Sequence, residues 1–340
     1  MITPKLETER LLLREIQYTD IDAIFNCWMQ DEKVSRYMWW KASDDINEAK
    51  EFVEFEMGNL ENDSWNRWII VLKETSEIIG TCLIFFNDDE DHWDISYNFG
   101  RKFWGKGYAT EAMTRVMRYA VEIMNITEIS TTYAVENTAS GRVLEKLGFQ
   151  NEKEISYECN GGDIVTTGRL CRYTCENEPE NMLVTEYASV RYIEDDKIVL
   201  LTWKKPAYLE NYRKPTTFAL ELLRKYDGSN FIIDARHGFE DDKRDVEWGF
   251  SWLLPEMSKT SCRFVSFIMN SKNDIEDEMD MWTVEFGKYF AVTRAQDYEE
   301  AKATINNYIM VKVRYGIKAG KRAEFVDKLT EAGITEAIES

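Results

Sequence analysis

Histidine is nearly missing from this sequence: His92 and His237 are the only two in 340 residues. A Ser-His or Cys-His nucleophile system has little to be built from, so acid–base work falls to carboxylates, tyrosines or water. Zinc-type spacing is missing too. The six cysteines (Cys27, Cys82, Cys159, Cys171, Cys175, Cys262) include no C-x-x-C pair. They read as buried thiols, with neither a disulfide frame nor a metal site. Cys171 and Cys175 could face each other, but the alternation around them is that of a strand. No apolar run approaches the length of a membrane span, and the opening MITPKLETERLLLRE has no signal-peptide core. The expectation is a cytoplasmic protein with no membrane partner. Positive charge is scarce as well: 42 Lys and Arg against 62 Asp and Glu give a net charge of −20. That repels a phosphate backbone and argues against direct nucleic-acid binding. It permits a cationic small molecule or a basic peptide, and equally suits a surface whose acidity serves solubility.

What is present is ordinary globular composition, and 340 residues predict two domains and permit three. Residues 1–176 read as a first unit. A strand at Leu11 to Glu15 precedes a helix capped by Thr19 and running through Met29, and Asp44 or Asp45 opens a second helix. Trp68 to Leu72, Ile78 to Phe86 and Trp93 to Phe99 follow as successive antiparallel strands, the last two joined by the turn Asn87 to Asp91. After Gly107 a helix carries Met113, Val116, Met117, Ala120, Val121 and Met124 on one core-facing stripe. A strand (Ile129 to Val135), a helix (Thr138 to Leu147, stopped by Gly148) and two strands (Ile155 to Cys159, Val165 to Tyr173) complete the unit. Glu176-Asn177-Glu178-Pro179-Glu180 reads as a linker.

Residues 181–306 change rhythm. Two strands (Tyr187 to Tyr192, Ile198 to Trp203) lead to a helix with Pro215 in its first turn. Strands Phe231 to Asp234, Phe264 to Met269 and Tyr289 to Thr293 then alternate with helices, which implies a largely parallel α/β sheet. One of those helices carries Ile275, Met279, Trp282 and Phe286 on a single face, and another starts near Asp297. Trp248 and Trp252, one helical turn apart, read as core. Residues 307–340 read as an extension of one strand (Tyr308 to Tyr315), a Gly-x-x-x-Gly turn and one helix (Arg322 to Ile338).

The densest chemistry lies at Gly105 and Gly107, which open a helix directly after an aromatic-rich strand. Such a turn offers bare backbone N–H groups and the positive end of a helix dipole, and so suits a pyrophosphate. Three segments in order then resemble the GNAT N-acetyltransferases, in the branch similar to the RimJ/RimL ribosomal-protein acetyltransferases. They are Leu6-Glu7-Thr8-Glu9-Arg10-Leu11 with Leu12-Leu13-Arg14; Trp104-Gly105-Lys106-Gly107-Tyr108-Ala109-Thr110-Glu111-Ala112; and Glu136-Asn137-Thr138-Ala139-Ser140 leading to Lys146-Leu147-Gly148-Phe149. The resemblance covers residues 5–175.

It implies an α+β fold with a mixed, mostly antiparallel sheet and acetyl-CoA as co-substrate. The amides of Gly105, Lys106, Gly107, Tyr108, Ala109 and Thr110 would cradle the pyrophosphate, with Lys106 adding charge. Lys102 stands where many members carry Gln or Arg. A backbone N–H near Asn98 or Phe99 would polarise the thioester in a gap beside that strand, and Asn137 would contact the pantetheine arm. Asp94 and Glu158 are the two candidate bases for the amine proton, each with a solvated strand-face alternative. The tyrosine that many members use on the leaving thiolate is replaced by Leu144. Ser140 is left as the donor, or simply as a first-turn residue of its helix. Tyr37, Trp39 and Trp40 would border the acceptor channel or pack in the core. No metal is implied.

Residues 181–306 look like a STAS or SpoIIAA-like domain, from strand order and from Phe231-Ile232-Ile233-Asp234-Ala235-Arg236. The segment that follows, His237 to Asp242, lacks the serine of phosphorylatable members. Residues 307–340 faintly resemble an incomplete antibiotic-biosynthesis-monooxygenase-like ferredoxin fold; otherwise they form a docking or homodimer-forming extension. The functional expectation is N-acetylation of a small amine or a protein N-terminus. The alternatives are a non-catalytic acyl-CoA sensor or protein-interaction module, and an aminoglycoside-type antibiotic acetyltransferase.

Overall fold

Apolar runs too long to alternate need cover on both faces, and this determines how the first unit is layered. The computed structural model describes residues 3–175, 180–238, 242–269 and 276–315, and the chain divides into the units Met1–Glu176 and Asn177–Ser340. In the first unit, β1 (Leu6–Glu7), β2 (Leu11–Arg14), β3 (Trp65–Leu72), β4 (Ile78–Asn87) and β5 (His92–Phe99) form one antiparallel sheet in that order. A second sheet, also antiparallel, has the order β6 (Glu128–Ala134), β8 (Ile164–Thr174), β7 (Gln150–Cys159). The helices are α1 (Ile21–Ile24, continuing as a π-turn through Met29), α2 (Glu32–Ser35), α3 (Ile46–Gly58), α4 (Tyr108–Glu122) and α5 (Thr138–Lys146).

β3 is buried from Asn66 to Leu72. Its Ile69 and Val71 pack with Trp28, Ala49 and Val53 from the α1–α3 layer. Trp68 meets Tyr119 of α4 edge-on at 5.8 Å, and its indole N–H donates to the Pro4 carbonyl at 2.6 Å. Burying one such ring contributes roughly 2–3 kcal/mol. Glu56 of α3 is 2% exposed, pairs with Arg67 of β3 at 2.6 Å and accepts the Trp65 indole at 2.8 Å.

Asp45 caps α3 by accepting the Asn47 amide at 2.9 Å. Thr19 does not cap its helix; it sits inside a 3-10 turn, Tyr18–Asp20. Asp20 ties the entry to that turn, accepting the Gln17 amide at 2.8 Å while Arg14 grips both its oxygens at 2.7 Å. The one-turn α2 had no sequence signal beyond its cap, Asp31, which accepts the Lys33 amide at 3.0 Å.

The second unit is a six-stranded sheet in sequence order: β9 (Met182–Val184), β10 (Ala188–Ile193), β11 (Ile198–Trp203), β12 (Asn230–Asp234), β13 (Phe264–Ile268) and β14 (Ala291–Ala295). β9 to β11 pair antiparallel and β11 to β14 parallel. Its helices are α6 (Glu210–Lys225), α7 (Lys243–Trp248), α8 (Leu254–Met257), α9 (Glu276–Phe286) and α10 (Tyr298–Tyr315). Pro215 lies inside α6, past the first turn where the sequence put it. The start is set earlier by Leu209, whose N–H donates to Asp245 at 2.6 Å and whose carbonyl accepts the Tyr212 and Arg213 amides at 3.1 and 2.7 Å.

Tyr308 to Tyr315 is not a strand but the end of α10. Extending a helix already running from Tyr298 adds a hydrogen bond per residue with no new nucleation cost, which overrides the local alternation. The expected boundary at 306/307 therefore falls within a helix. The Gly-x-x-x-Gly turn and the helix Arg322 to Ile338 lie outside the described residues, as does the linker segment Glu176 to Pro179. Trp252 is 38% exposed, stacked on Trp248 at 5.1 Å, so it is a surface residue and not the core residue expected. No helix among the described residues is long and apolar enough to cross a membrane.

Candidate active site

β5 and β6 lie side by side without a ladder: one closes the first sheet, the other edges the second. Peptide groups in an antiparallel strand alternate in direction, so each residue's orientation can be read from its neighbours. The Gly100 N–H bonds the Ile79 carbonyl beside β4 at 2.9 Å, which turns the even-numbered peptides of β5 toward β4. Odd-numbered ones face the gap. The Ile95 carbonyl accepts from Thr131 Oγ1 of β6 at 3.2 Å, and the Phe99 carbonyl from the Trp104 indole at 2.7 Å. Of the two amides expected to serve, Phe99 therefore aims its N–H into the gap and Asn98 aims its own at β4. The Asn98 side chain keeps a buried Nδ2 without a hydrogen-bond partner.

Gly105 (φ +72°) and Gly107 (φ +83°) both hold left-handed backbone. A Cβ at 105 would meet nothing within 4 Å and one at 107 only Arg10 at 3.5 Å, so conformation and not crowding calls for glycine. Gly107 is the N-cap of α4 and offers no capping side chain, which leaves the Tyr108, Ala109 and Thr110 amides open. Arg10 braces this turn. Its guanidinium donates to the Lys106 carbonyl at 3.1 Å, lies 4.5 Å from the Tyr108 ring centre and pairs with Glu111 at 2.6 Å. Glu111 also accepts from the Thr8 hydroxyl at 2.6 Å and the Arg10 amide at 2.9 Å. Burial alone would raise the Glu111 carboxyl, but these bonds outweigh it and hold the group below the usual range. Lys106 is exposed. Lys102 is drawn instead to Glu77 at 2.8 Å, a pairing that raises its ammonium above the usual value.

Asp94 lies on β5 itself, its carboxylate accepting the Ile95 amide at 2.6 Å and sharing the Thr131 hydroxyl with the Ile95 carbonyl. Burial pushes its carboxyl up to about 6 against the pull of those two bonds. Tyr157 of β7 is close enough to feel it: burial first, then Cys159 and Asp94, push the phenol up to about 12. Glu158, next along β7, faces the opposite side and is exposed, paired with Val165, itself 64% exposed. The structure does not bring the two candidate carboxylates together.

Asn137 caps α5, its Oδ1 accepting the Ser140 amide at 3.2 Å. The Ser140 hydroxyl lies 2.8 Å from that of Tyr97 on β5, a residue that sequence reasoning did not single out. Alternation marks Tyr97 as a strand residue and nothing local connects it to a helix 43 positions later. Leu144 is core, 3% exposed.

The Tyr37, Trp39 and Trp40 trio divides. Trp40 packs into the α1–α3 core, Trp39 is 68% exposed, and the half-buried Tyr37 donates to Glu136 at 3.5 Å. The segment around them is tied to the β7–β8 turn. Tyr157 donates to the Tyr37 carbonyl at 2.9 Å, the Asn160 amide to the Met38 carbonyl at 2.6 Å, and Lys41 pairs with Asp163.

Residues 10–150 match the acetyltransferase (GNAT) domain family. An uncharacterized N-acetyltransferase of Bacillus licheniformis is 35% identical over 43% of this chain and 83% of its own length. Another from Bacillus subtilis is 33% identical over 44% of this chain and 84% of its own. A crystal structure of a GNAT-family acetyltransferase from Bacillus anthracis covers 50% of this chain and 98% of that one, at 24% identity and a TM-score of 0.45. Through its first unit, the chain belongs to the GNAT family of N-acetyltransferases.

Proposed function

We propose that the first unit transfers the acetyl group of acetyl-CoA to a primary amine by direct attack on the thioester. The observation that carries this is the gap between β5 and β6. The Phe99 N–H, the Asp94 carboxylate and the Ser140–Tyr97 hydroxyl pair lie along it. The donor fits the residues present: two Cβ-free positions and three uncapped amides suit a pyrophosphate, and the unpartnered Asn98 Nδ2 is a spare donor in the gap region.

An amine attacks only when neutral, and Asp94, raised to about 6, is ionised at neutral pH yet basic enough to take the proton. The Phe99 N–H is aimed where oxyanion charge develops on the carbonyl. Ser140 donates toward the departing sulfur, and Asn137 sits beside it for the pantetheine arm. Glu158, exposed and turned away, is assigned no part in the proton transfer. The surplus of carboxylates over the whole chain supports an acceptor carrying positive charge, although Tyr37 and Glu136 are themselves engaged by Arg36, at 5.4 Å from the ring centre and 3.8 Å from the carboxylate. The second unit we read as a STAS-like binding module. Its sequential sheet supports this, and a buried Arg236–Asp234 pair (2.6 Å) closes the end of β12.

Thiol release from acetyl-CoA is to be followed with an alanine-starting peptide, a polyamine and an aminoglycoside as acceptors. Turnover with any of them supports the proposal and identifies the acceptor class. Binding of acetyl-CoA without turnover points to an acyl-CoA sensor, and no binding at all overturns the reading.

A further inference from the structure

We infer that Tyr97 is a positioning residue that turns the Ser140 hydroxyl hydrogen toward the leaving sulfur, in place of a tyrosine acting directly from α5. The inference rests on the transfer reaction proposed above.

The Tyr97 hydroxyl has two acceptors within reach, and both belong to Ser140: the side-chain oxygen at 2.8 Å and the carbonyl at 3.3 Å. Either hydroxyl can donate across the 2.8 Å contact; in the arrangement inferred Tyr97 donates, and burial, which pushes the phenol up to about 12, keeps its hydrogen in place through the neutral range. When Tyr97 donates to the Ser140 side chain, that oxygen's own hydrogen must point elsewhere. The Ser140 amide is already held by Asn137 at 3.2 Å, which fixes the first turn of α5 and with it the serine. The neighbouring wall is equally constrained. A Cβ at Gly141 would come within 2.8 Å of the Tyr133 ring, so α5 sits against β6 with no spare room at this point.

The direction of proton movement follows from acidities. A thiol at about 8.5 is far more acidic than a phenol at about 12, so full transfer from Tyr97 through Ser140 to the thiolate runs uphill. The pair therefore works by hydrogen bonding. The C–S bond breaks, its electron pair goes to sulfur, and the Ser140 hydroxyl, polarised by Tyr97, stabilises that charge. Water protonates the thiolate after release, and the amine proton leaves separately on Asp94.

The test is a double-mutant cycle on the full chain with the best acceptor of the panel. Tyr97→Phe and Ser140→Ala are each expected to lower kcat about tenfold, with KM for acetyl-CoA changed less than about twofold. The double variant should fall no further than Ser140→Ala alone, because one path is removed once. Additive losses, or full kcat in Tyr97→Phe, overturn the inference while leaving the acetyl-transfer reading intact. Absence of wild-type turnover instead sinks that reading. If Tyr97→Phe melts below the assay temperature, 3,5-difluorotyrosine at position 97 keeps the ring and the bond and makes the phenol more acidic. Its kcat should then fall at a lower alkaline pH than the wild type's. An unmoved alkaline limb refutes the role.

Discussion

Replacing Asp94 with asparagine should stabilise the protein and disable it in the same step. Its carboxyl is raised from an ordinary 3.8 to about 6, chiefly by burial. That rise corresponds to about 3 kcal/mol of disfavoured charge in the folded state. The sign is fixed by which form the fold prefers. A raised carboxyl is most compatible with folding below the unfolded value, loses that advantage as pH rises to about 6, and carries the full penalty above it. Asparagine has no charge to desolvate and can still accept the Ile95 amide through Oδ1. The stability difference between Asp94→Asn and wild type should be near zero below about pH 4, grow up to about pH 6 and level off at about 3 kcal/mol. For a unit of this size that is a gain of roughly 6–10 °C in melting temperature at pH 8. Over the same range the variant should lose about 10²–10⁴ in kcat. Wild-type kcat/KM should bend downward below about pH 6. Melting curves at pH 4 and pH 8, paired with thiol-release rates, check both halves. A variant no more stable at pH 8 than at pH 4, or a rate limb near the ordinary carboxylate value, refutes the assignment of a desolvated base.

Gly107→Ala must hold a side chain at φ +83°, at a cost of about 1–2 kcal/mol, and should weaken acetyl-CoA binding about tenfold by calorimetry. Glu158→Gln alters an exposed carboxylate, so kcat should stay within about twofold at every pH from 6 to 9; a tenfold fall would return Glu158 to the mechanism. Glu56→Ala leaves the Arg67 guanidinium buried without its counter-charge, and urea unfolding should show a loss of about 3–5 kcal/mol.

Most strands of the first unit and the glycine turn were legible because their signals are local: alternation, a loop of acids at 87–91, two glycines before an apolar stripe; the two-residue β1 and the first half of β7 (Gln150 to Glu154) carry no such signal. So was the start of α3, where the sequence offered Asp44 or Asp45 and the structure has Asp45 as the cap. What the sequence hid were partners far apart along the chain. Arg10 and Thr8 meet Glu111 a hundred residues later, and Tyr97 of β5 meets Ser140 of α5. Which of Asn98 and Phe99 faces that gap is a matter of ladder register, which a single strand does not carry. Thr19, Pro215 and the stretch after Tyr308 misled because a local preference was overruled, by an Arg14–Asp20 pair, by Asp245 and by a helix already under way.

The missing ladder between β5 and β6 also bears on how the first unit breathes. A continuous sheet opens as a whole or not at all; one with a seam can flex along it. This seam is stitched by the Thr131 hydroxyl on the Ile95 carbonyl, with Tyr97 reaching Ser140 on α5 beside it, each weaker than a row of paired strands. Amides at its two lips should exchange with solvent faster than those at the centre of β3 and β4. Amide exchange measured with and without saturating acetyl-CoA checks this: ligand should slow both lips together, and unchanged exchange at either lip refutes it.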